Sequence, residues 1–195
     1  MSGYTSLENI PFLEARTLPE FCQALWVDTQ ALETALDGVA VERSLEIGCG
    51  FGRLTPWIAD RSTDHVAVDY SMQALAAASK EFQSVTVAGG TATSLPVATD
   101  AVDLVVTWGV LNHVVEDIET ALAEIDRVTA PGGVVVLSEA TAGRDDPRWE
   151  YRAVEEWAAL LAGWSLESVV WTARDTETFR HPEREHAVMR FERIM

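Results

Sequence analysis

Lysine is almost missing from this chain: Lys80 stands alone, and 14 basic residues face 31 acidic ones for a net charge of −17. Such a field repels phosphate backbones and anionic lipid, which argues against nucleic acid or a membrane surface as partner. The arginines near the C-terminus (Arg174, Arg180, Arg184, Arg190, Arg193) are interleaved with glutamates and make no basic patch. Acid excess with scarce lysine also fits a salt-adapted host, in which case stability should depend on salt. No stretch approaches the roughly 18 consecutive apolar residues of a membrane span, and Met1 to Leu7 has neither the basic region nor the apolar core of an export signal, so the expectation is a cytoplasmic protein. There are two cysteines, Cys22 and Cys49; Cys49 sits in a glycine loop that a bridge would obstruct, and both read as free thiols. His65, His181 and His186 lack the spacing of metal ligands, and no metal is expected.

What is present is a chain of 195 residues, 48% hydrophobic, enough for one domain with a sizeable core. Phe21, Leu25, Leu32 and Leu36 recur at helical spacing between Pro19 and Gly38, predicting a helix over Leu18 to Leu36 outside the core pattern. Strand and helix signals then alternate. Ser44 to Ile47 reads as a strand, Arg53 to Asp60 as a helix, His65 to Asp69 as a strand, and Met72 to Phe82 as a helix with Ser71 as N-cap. Val85 to Ala88 reads as a third strand. Val102 to Thr107 is almost wholly apolar, as a strand buried on both faces of a parallel sheet requires, and should lie at the sheet's centre. Glu116 to Val128 follows as a helix, and Pro131-Gly132-Gly133 turns the chain into a strand over Val134 to Leu137. Arg152 to Leu161 reads as a helix. Ser165 to Thr172 and His186 to Arg193 read as an antiparallel pair, having no crossover helix between them. The pattern predicts a doubly wound α/β domain over residues 1–195, with a helical cap (1–40), a ligand-binding core (41–140) and a C-terminal helix with the antiparallel strands (141–195).

The first strand ends in Glu46-Ile47-Gly48-Cys49-Gly50-Phe51-Gly52. Glycines at such a turn allow unusual dihedrals and a close backbone approach to a ligand. The spacing is G-x-G-x-G; the third glycine of the dinucleotide fingerprint would fall on Arg53, which counts against NAD. Glu46 near a helix N-terminus would repel a pyrophosphate and suit a cationic ligand. Asp69 ends the second strand about twenty residues on, where an acid accepts hydrogen bonds from ribose hydroxyls. Read alone, the glycines make a turn and Asp69 caps a helix; read together, they imply a nucleoside.

These stretches resemble the class I S-adenosylmethionine-dependent methyltransferases, and among them the small-molecule group that includes the ubiquinone-pathway C-methyltransferases. The likeness runs from Ser44 to Glu139 through Leu45 to Gly52, Val66 to Ser71, Ser94-Leu95-Pro96, Val102 to Val106, Val110 to Val114 and Arg127 to Gly133. It implies a Rossmann-like sheet of seven strands, mostly parallel with the last antiparallel, and S-adenosylmethionine as cofactor with S-adenosylhomocysteine as product. Carried over, Glu46, Gly48, Cys49, Gly50 and Gly52 form the loop at the methionine part, Asp69 takes the ribose hydroxyls, and Tyr70, Ser71 and Met72 flank the adenosine. Trp108 offers its carbonyl to the cofactor's amino group. Thr91 stands where family members often carry an aspartate for the adenine amino group, leaving the Ala92 backbone to read that edge. Arg16 is a partner for the cofactor carboxylate.

Transfer of an activated methyl group needs positioning and water exclusion more than acid–base chemistry. An oxygen or nitrogen acceptor also needs a base, and His113, just past the fourth strand, is the candidate; the competing reading packs it under the loop against a backbone carbonyl. Glu139, at the end of the fifth strand, is a candidate substrate contact or else a solvated strand end. Tyr4 and Trp26, with Phe12, lie in the segment that shapes the acceptor pocket in this family. Trp149, Trp157, Trp164 and Trp171 read as core. The expected partner is a small-molecule acceptor. Two other functions stay open: a non-catalytic nucleoside-binding module acting through a protein partner, and an NAD-dependent oxidoreductase.

Overall fold

The computed structural model describes residues 18–142, 148–172 and 185–194, with side chains from Leu25 onward and, in the last segment, from His186. The elements run α1 (Leu18–Ala35), β1 (Arg43–Ile47), α2 (Thr55–Ala59), β2 (Asp64–Asp69), α3 (Met72–Glu81), β3 (Thr86–Gly89), β4 (Val102–Trp108), α4 (Ile118–Val128), β5 (Thr129–Ala142), α5 (Val154–Leu160), β6 (Trp164–Thr172) and β7 (Glu185–Arg193). They form one seven-stranded sheet of order β3-β2-β1-β4-β5-β7-β6. β1 to β5 pair in parallel, and β7 inserts antiparallel between β5 and β6. This is the doubly wound, Rossmann-like arrangement that the alternating pattern predicts, with β4 at its centre.

The strands are apolar on both sides because both sides are covered. Leu45, Ile47, Val105, Val135, Leu137, Met189 and Phe191 share a buried cluster with Ile118, Leu122 and Ile125 of α4 and Trp157 of α5. Their sequence neighbours Leu104, Val106, Val134, Val136 and Val188 turn the other way and bury against Ala31, Leu32 and Ala35 of α1 and Ile58 of α2. The first helix stands outside the βα alternation, and its second half packs as a layer on the sheet, with Leu32 and Ala35, and Leu36 just past its end, buried. Two ion pairs, Arg53 with Asp28 and Arg61 with Glu33, tie it to the segment around α2.

Several boundaries shift for local reasons. α2 starts at Thr55 rather than Arg53, because Gly52 has φ +84° and Pro56, near the helix start, lacks the N–H of a helix interior. α5 starts at Val154, after Ala153 in extended backbone whose N–H donates to Glu156 at 2.7 Å. β5 reaches back to Thr129, which pairs with Val102 before the register breaks and resumes at Leu104–Val134; Pro131 to Gly133 is a kink inside that strand. Ser71 caps α3 by accepting from the Ala74 N–H. Of the four later tryptophans, Trp157 and Trp164 are core, but Trp171 is 57% exposed on the edge strand β6 and Trp149 lies at the rim against His113. No helix among the described residues is long and apolar enough to cross a membrane.

Candidate functional site

Loops converge at the carboxyl ends of the parallel strands, at the point where the strand order reverses between β1 and β4, which is where open α/β sheets bind ligands. In the loop after β1, Gly48, Gly50 and Gly52 all have left-handed φ, +74°, +53° and +84°. Their surroundings differ. A Cβ on Gly48 would meet Val110 Cγ2 at 2.3 Å, and one on Gly52 would meet Phe82 at 2.3 Å, whereas one on Gly50 would meet nothing within 4 Å. The outer glycines are pressed against neighbouring elements, and the middle one faces open space. This is the cradle a close backbone approach needs.

The loop is locked to β2. The N–H groups of Gly48 and Cys49 both donate to Val68 O, at 2.7 and 3.1 Å, and the Gly50 N–H donates to Asp69 Oδ2 at 2.8 Å. Asp69 Oδ1 accepts from the Ser71 N–H at 2.8 Å. Asp69 thus orients both loops through one lone pair of each oxygen, and each oxygen keeps a second. On either side of it, Tyr70 and Met72 are 73% and 71% exposed, an apolar surface at the cradle's edge.

Glu46 lies beneath the loop. It is buried, accepts from Thr55 Oγ1 at 2.5 Å at the start of α2, and lies 3.7 Å from His65 Nε2. His65 in turn contacts Ser44 Oγ through Nδ1 at 2.7 Å. Glu46 therefore supports the loop from below through Thr55 and His65. Burial pushes the Cys49 thiol well above its ordinary range, with Glu46 and Asp69 adding to the effect, so Cys49 is an uncharged lining residue.

Thr91 and Ala92 follow β3. Their loop closes on itself through Thr91 and Ser94 and is held from behind: Leu95 N–H donates to Glu124 at 2.7 Å, while Arg127 donates to Val97 O at 2.8 Å and to Leu95 O at 3.2 Å. The Arg127 guanidinium beside Glu124 holds its carboxyl down at about 2. The Leu95-Pro96 step and Arg127, both noted in the sequence, are struts of this loop. Between it and the segment after β4 is a concave region of about 430 Å³ lined by Thr91, Ala92, Thr93 and His113 to Asp117.

His113 ends a 3-10 turn, Leu111–His113, and is exposed, its ring centroid 3.9 Å from that of Trp149. It is at the rim and does not pack under the loop. Glu139 is the clearest correction. It is neither a solvated strand end nor placed to touch a substrate: it is fully buried and accepts from Val110, Leu111 and Asn112 N–H at 3.2, 2.9 and 3.2 Å and from Thr107 Oγ1 at 3.3 Å. Burial outweighs these four donors and raises its carboxyl to about 7. Asn112, not singled out from the sequence, is a second hub: its side chain exchanges bonds with the Ala140 backbone and donates to Glu150 O at 2.5 Å. Trp108 has its indole half-buried on the α1 side. Trp26 is 64% exposed on α1; Tyr4, Phe12 and Arg16 lie outside the described residues, as do His181, Arg174, Arg180, Arg184 and the Cys22 side chain. No cluster of metal-ligating side chains occurs among the described residues.

Known proteins share parts of this sequence and its fold. A family described as "methyltransferase domain" matches residues 45–137. A demethylmenaquinone methyltransferase of Renibacterium salmoninarum is 35% identical over 106 residues, covering 54% of this chain and 44% of that protein. A probable S-adenosylmethionine-dependent methyltransferase of Mycolicibacterium smegmatis is 31% identical over 137 residues, covering 68% and 52%. The chain thus spans about half the length of the curated relatives it matches. The N-methyltransferase NodS of Bradyrhizobium japonicum, solved with S-adenosylhomocysteine, superposes with a TM-score of 0.73 over 91% of this chain and 89% of that one at 22% identity, which establishes a common fold.

Proposed function

We propose that the chain is a class I S-adenosylmethionine-dependent methyltransferase, a reading supported by the methyltransferase domain matched at residues 45–137, and that it transfers the methyl group of S-adenosylmethionine to a small-molecule acceptor by in-line displacement. The observation that carries this is the open face of Gly50, whose N–H is tied to Asp69. A nucleoside with a cationic tail fits there: the backbone of Gly48 to Gly50 lies along the tail, Gly52 and Glu46 hold that backbone in place, and Asp69 uses its remaining lone pairs for the ribose hydroxyls. Tyr70 and Met72 cover the adenosine with Ser71 between them, Thr91 and Ala92 face the adenine edge, and the Trp108 carbonyl and Arg16 take the amino and carboxylate ends of the tail. Two carboxylates, Glu46 and Asp69, near the loop favour a sulfonium and an ammonium over a pyrophosphate.

When bound, S-adenosylmethionine would supply an activated methyl group that an acceptor's lone pair could take, the carbon–sulfur bonding pair remaining on sulfur. The chain's residues hold the two reactants in line and exclude water. For an acceptor bearing O–H or N–H, exposed His113 takes the proton, and Trp26 and Tyr4 belong to the acceptor side. The net charge of −17 favours a small acceptor over a nucleic acid.

Calorimetric titration with S-adenosylmethionine, S-adenosylhomocysteine and NAD tests the reading. Binding of the first two but not the third is expected. Asp69→Ala should weaken it by about 3 kcal/mol, roughly a hundredfold, for two charge-assisted hydrogen bonds lost. Absence of binding by the wild type at low and high salt would overturn the proposal.

A further inference from the structure

Glu139 lies at the carboxyl edge of the sheet with no access to solvent, yet it spends both carboxylate oxygens on one short piece of backbone. A buried carboxylate costs several kcal/mol unless its acceptors are filled. Here the three consecutive N–H groups of Val110, Leu111 and Asn112, with Thr107 Oγ1, fill them. These amides open the 3-10 turn after β4, where donors have no partner within the turn. Gly109, at φ +68°, lets the chain bend back over the carboxylate.

What that backbone carries gives the arrangement its meaning. Val110 closes on Gly48, filling the space where that glycine's Cβ would stand. His113, at the other end of the turn, rests against Trp149. Asn112 fastens the Trp149 segment to the same place, since its carbonyl accepts from the Glu150 N–H at 2.9 Å and its amide donates to Glu150 O. One buried side chain on β5 thus sets the wall of the glycine cradle and the rim beside it.

We propose that Glu139 is a positioning residue for methyl transfer, anchoring the segment after β4 so that Val110 closes the cofactor cradle at Gly48 and His113 is presented at the acceptor rim. It touches neither reactant and acts through the backbone of residues 110–112. This rests on the reading of the glycine loop as the cofactor cradle.

The test uses Glu139→Gln, which keeps the shape but replaces one acceptor oxygen by an amide donor facing other donors, and Thr107→Val, which removes one of the four donors while leaving the loop sequence intact. Amide hydrogen exchange and amide proton shifts are read by NMR, and S-adenosylhomocysteine affinity by calorimetry. In Glu139→Gln, read above about pH 8 where the wild-type carboxylate is ionised, the amides of Val110, Leu111 and Asn112 should exchange roughly tenfold faster and move upfield, and affinity should fall about tenfold, as expected for loss of one charge-assisted bond. The amides of Val105 and Val106 in β4 should stay protected, which general destabilisation would not produce. Thr107→Val should shift both readouts the same way by less, and it carries the test if the glutamine variant fails to fold. Unchanged exchange at residues 110–112 in both variants overturns the proposal, as does faster exchange with unaltered affinity. Wild-type protein that fails to bind S-adenosylhomocysteine, with the exchange difference intact, would instead overturn the cofactor reading and the coupling to it while leaving the anchoring in place.

Discussion

Gly48 and Gly50 are two residues apart in one loop and share left-handed backbone, yet the structure assigns them opposite consequences on conversion to alanine. Each substitution carries the cost of a side chain in the left-handed region, about 1–2 kcal/mol. At Gly50 that is the whole cost to the fold, because the added Cβ meets nothing within 4 Å. At Gly48 the Cβ meets Val110 Cγ2 at 2.3 Å, and pushing that side chain aside adds about 1–3 kcal/mol of overpacking. Gly48→Ala should therefore unfold about 4–20 °C below wild type and Gly50→Ala about 2–8 °C below, at about 2–4 °C per kcal/mol for a domain of this size. Ligand reverses the order of severity. With S-adenosylhomocysteine at about a hundred times its dissociation constant, wild type should gain about 2.7 kcal/mol. Gly50→Ala should gain little, since its methyl group occupies the space the ligand backbone needs. Thermal unfolding with and without the ligand reads both effects. Equal destabilisation by the two variants, or full ligand stabilisation of Gly50→Ala, would refute the assignment of Gly50 as the ligand-facing position.

Three further outcomes follow from the same structure. Burial raises Glu139 from 4.5 to about 7, so its contribution to stability is complete below about pH 4.5 and is lost as pH rises through about 7; urea titrations should show wild type losing up to about 3 kcal/mol relative to Glu139→Gln over that interval, and a constant difference would contradict it. His113→Gln should leave cofactor affinity unaltered and cut turnover of an O–H or N–H acceptor by about a hundredfold or more; near-normal turnover with the true acceptor would remove the base role. With a net charge of −17 and one lysine, the folded state should gain stability between low and molar salt, and midpoints independent of salt would remove the salt-adaptation reading.

The fold was largely legible because its parallel sheet writes itself in almost wholly apolar runs: Val102 to Thr107 reads as the sheet's centre and Val134 to Leu137 as another buried strand without any partner information. What the first helix packs against is not legible, for an equally physical reason. Its apolar spacing announces one buried face, but periodicity does not say what that face meets, and only the packing of Leu32 and Leu36 against Leu104 and Val136 makes it a layer of the core. Boundaries at α2 and α5 moved because caps and prolines act at single residues, below the resolution of a repeating pattern.

The candidate site divides along the same line. Glycines in left-handed backbone and an acid ending β2 are properties of the chain's own local geometry, so Gly48, Gly50, Gly52 and Asp69 could be read directly. Glu139 could not, because its partners are backbone amides about 28 residues away, and an amide carries no residue-type signature. A carboxylate at the end of a strand looks the same in sequence whether it faces water, a substrate or three N–H groups. The available hint was energetic: an acid that follows four buried apolar residues and Ser138 in a central strand must either reach solvent or find several donors. Asn112 beside it, two residues past Val110 in the quoted Val110 to Val114 stretch, offers both a donor and an acceptor, and is the kind of residue that joins loops once a strand end is sealed. The cradle was therefore readable from its own local geometry, whereas the residues that hold it in place belong to the three-dimensional arrangement alone.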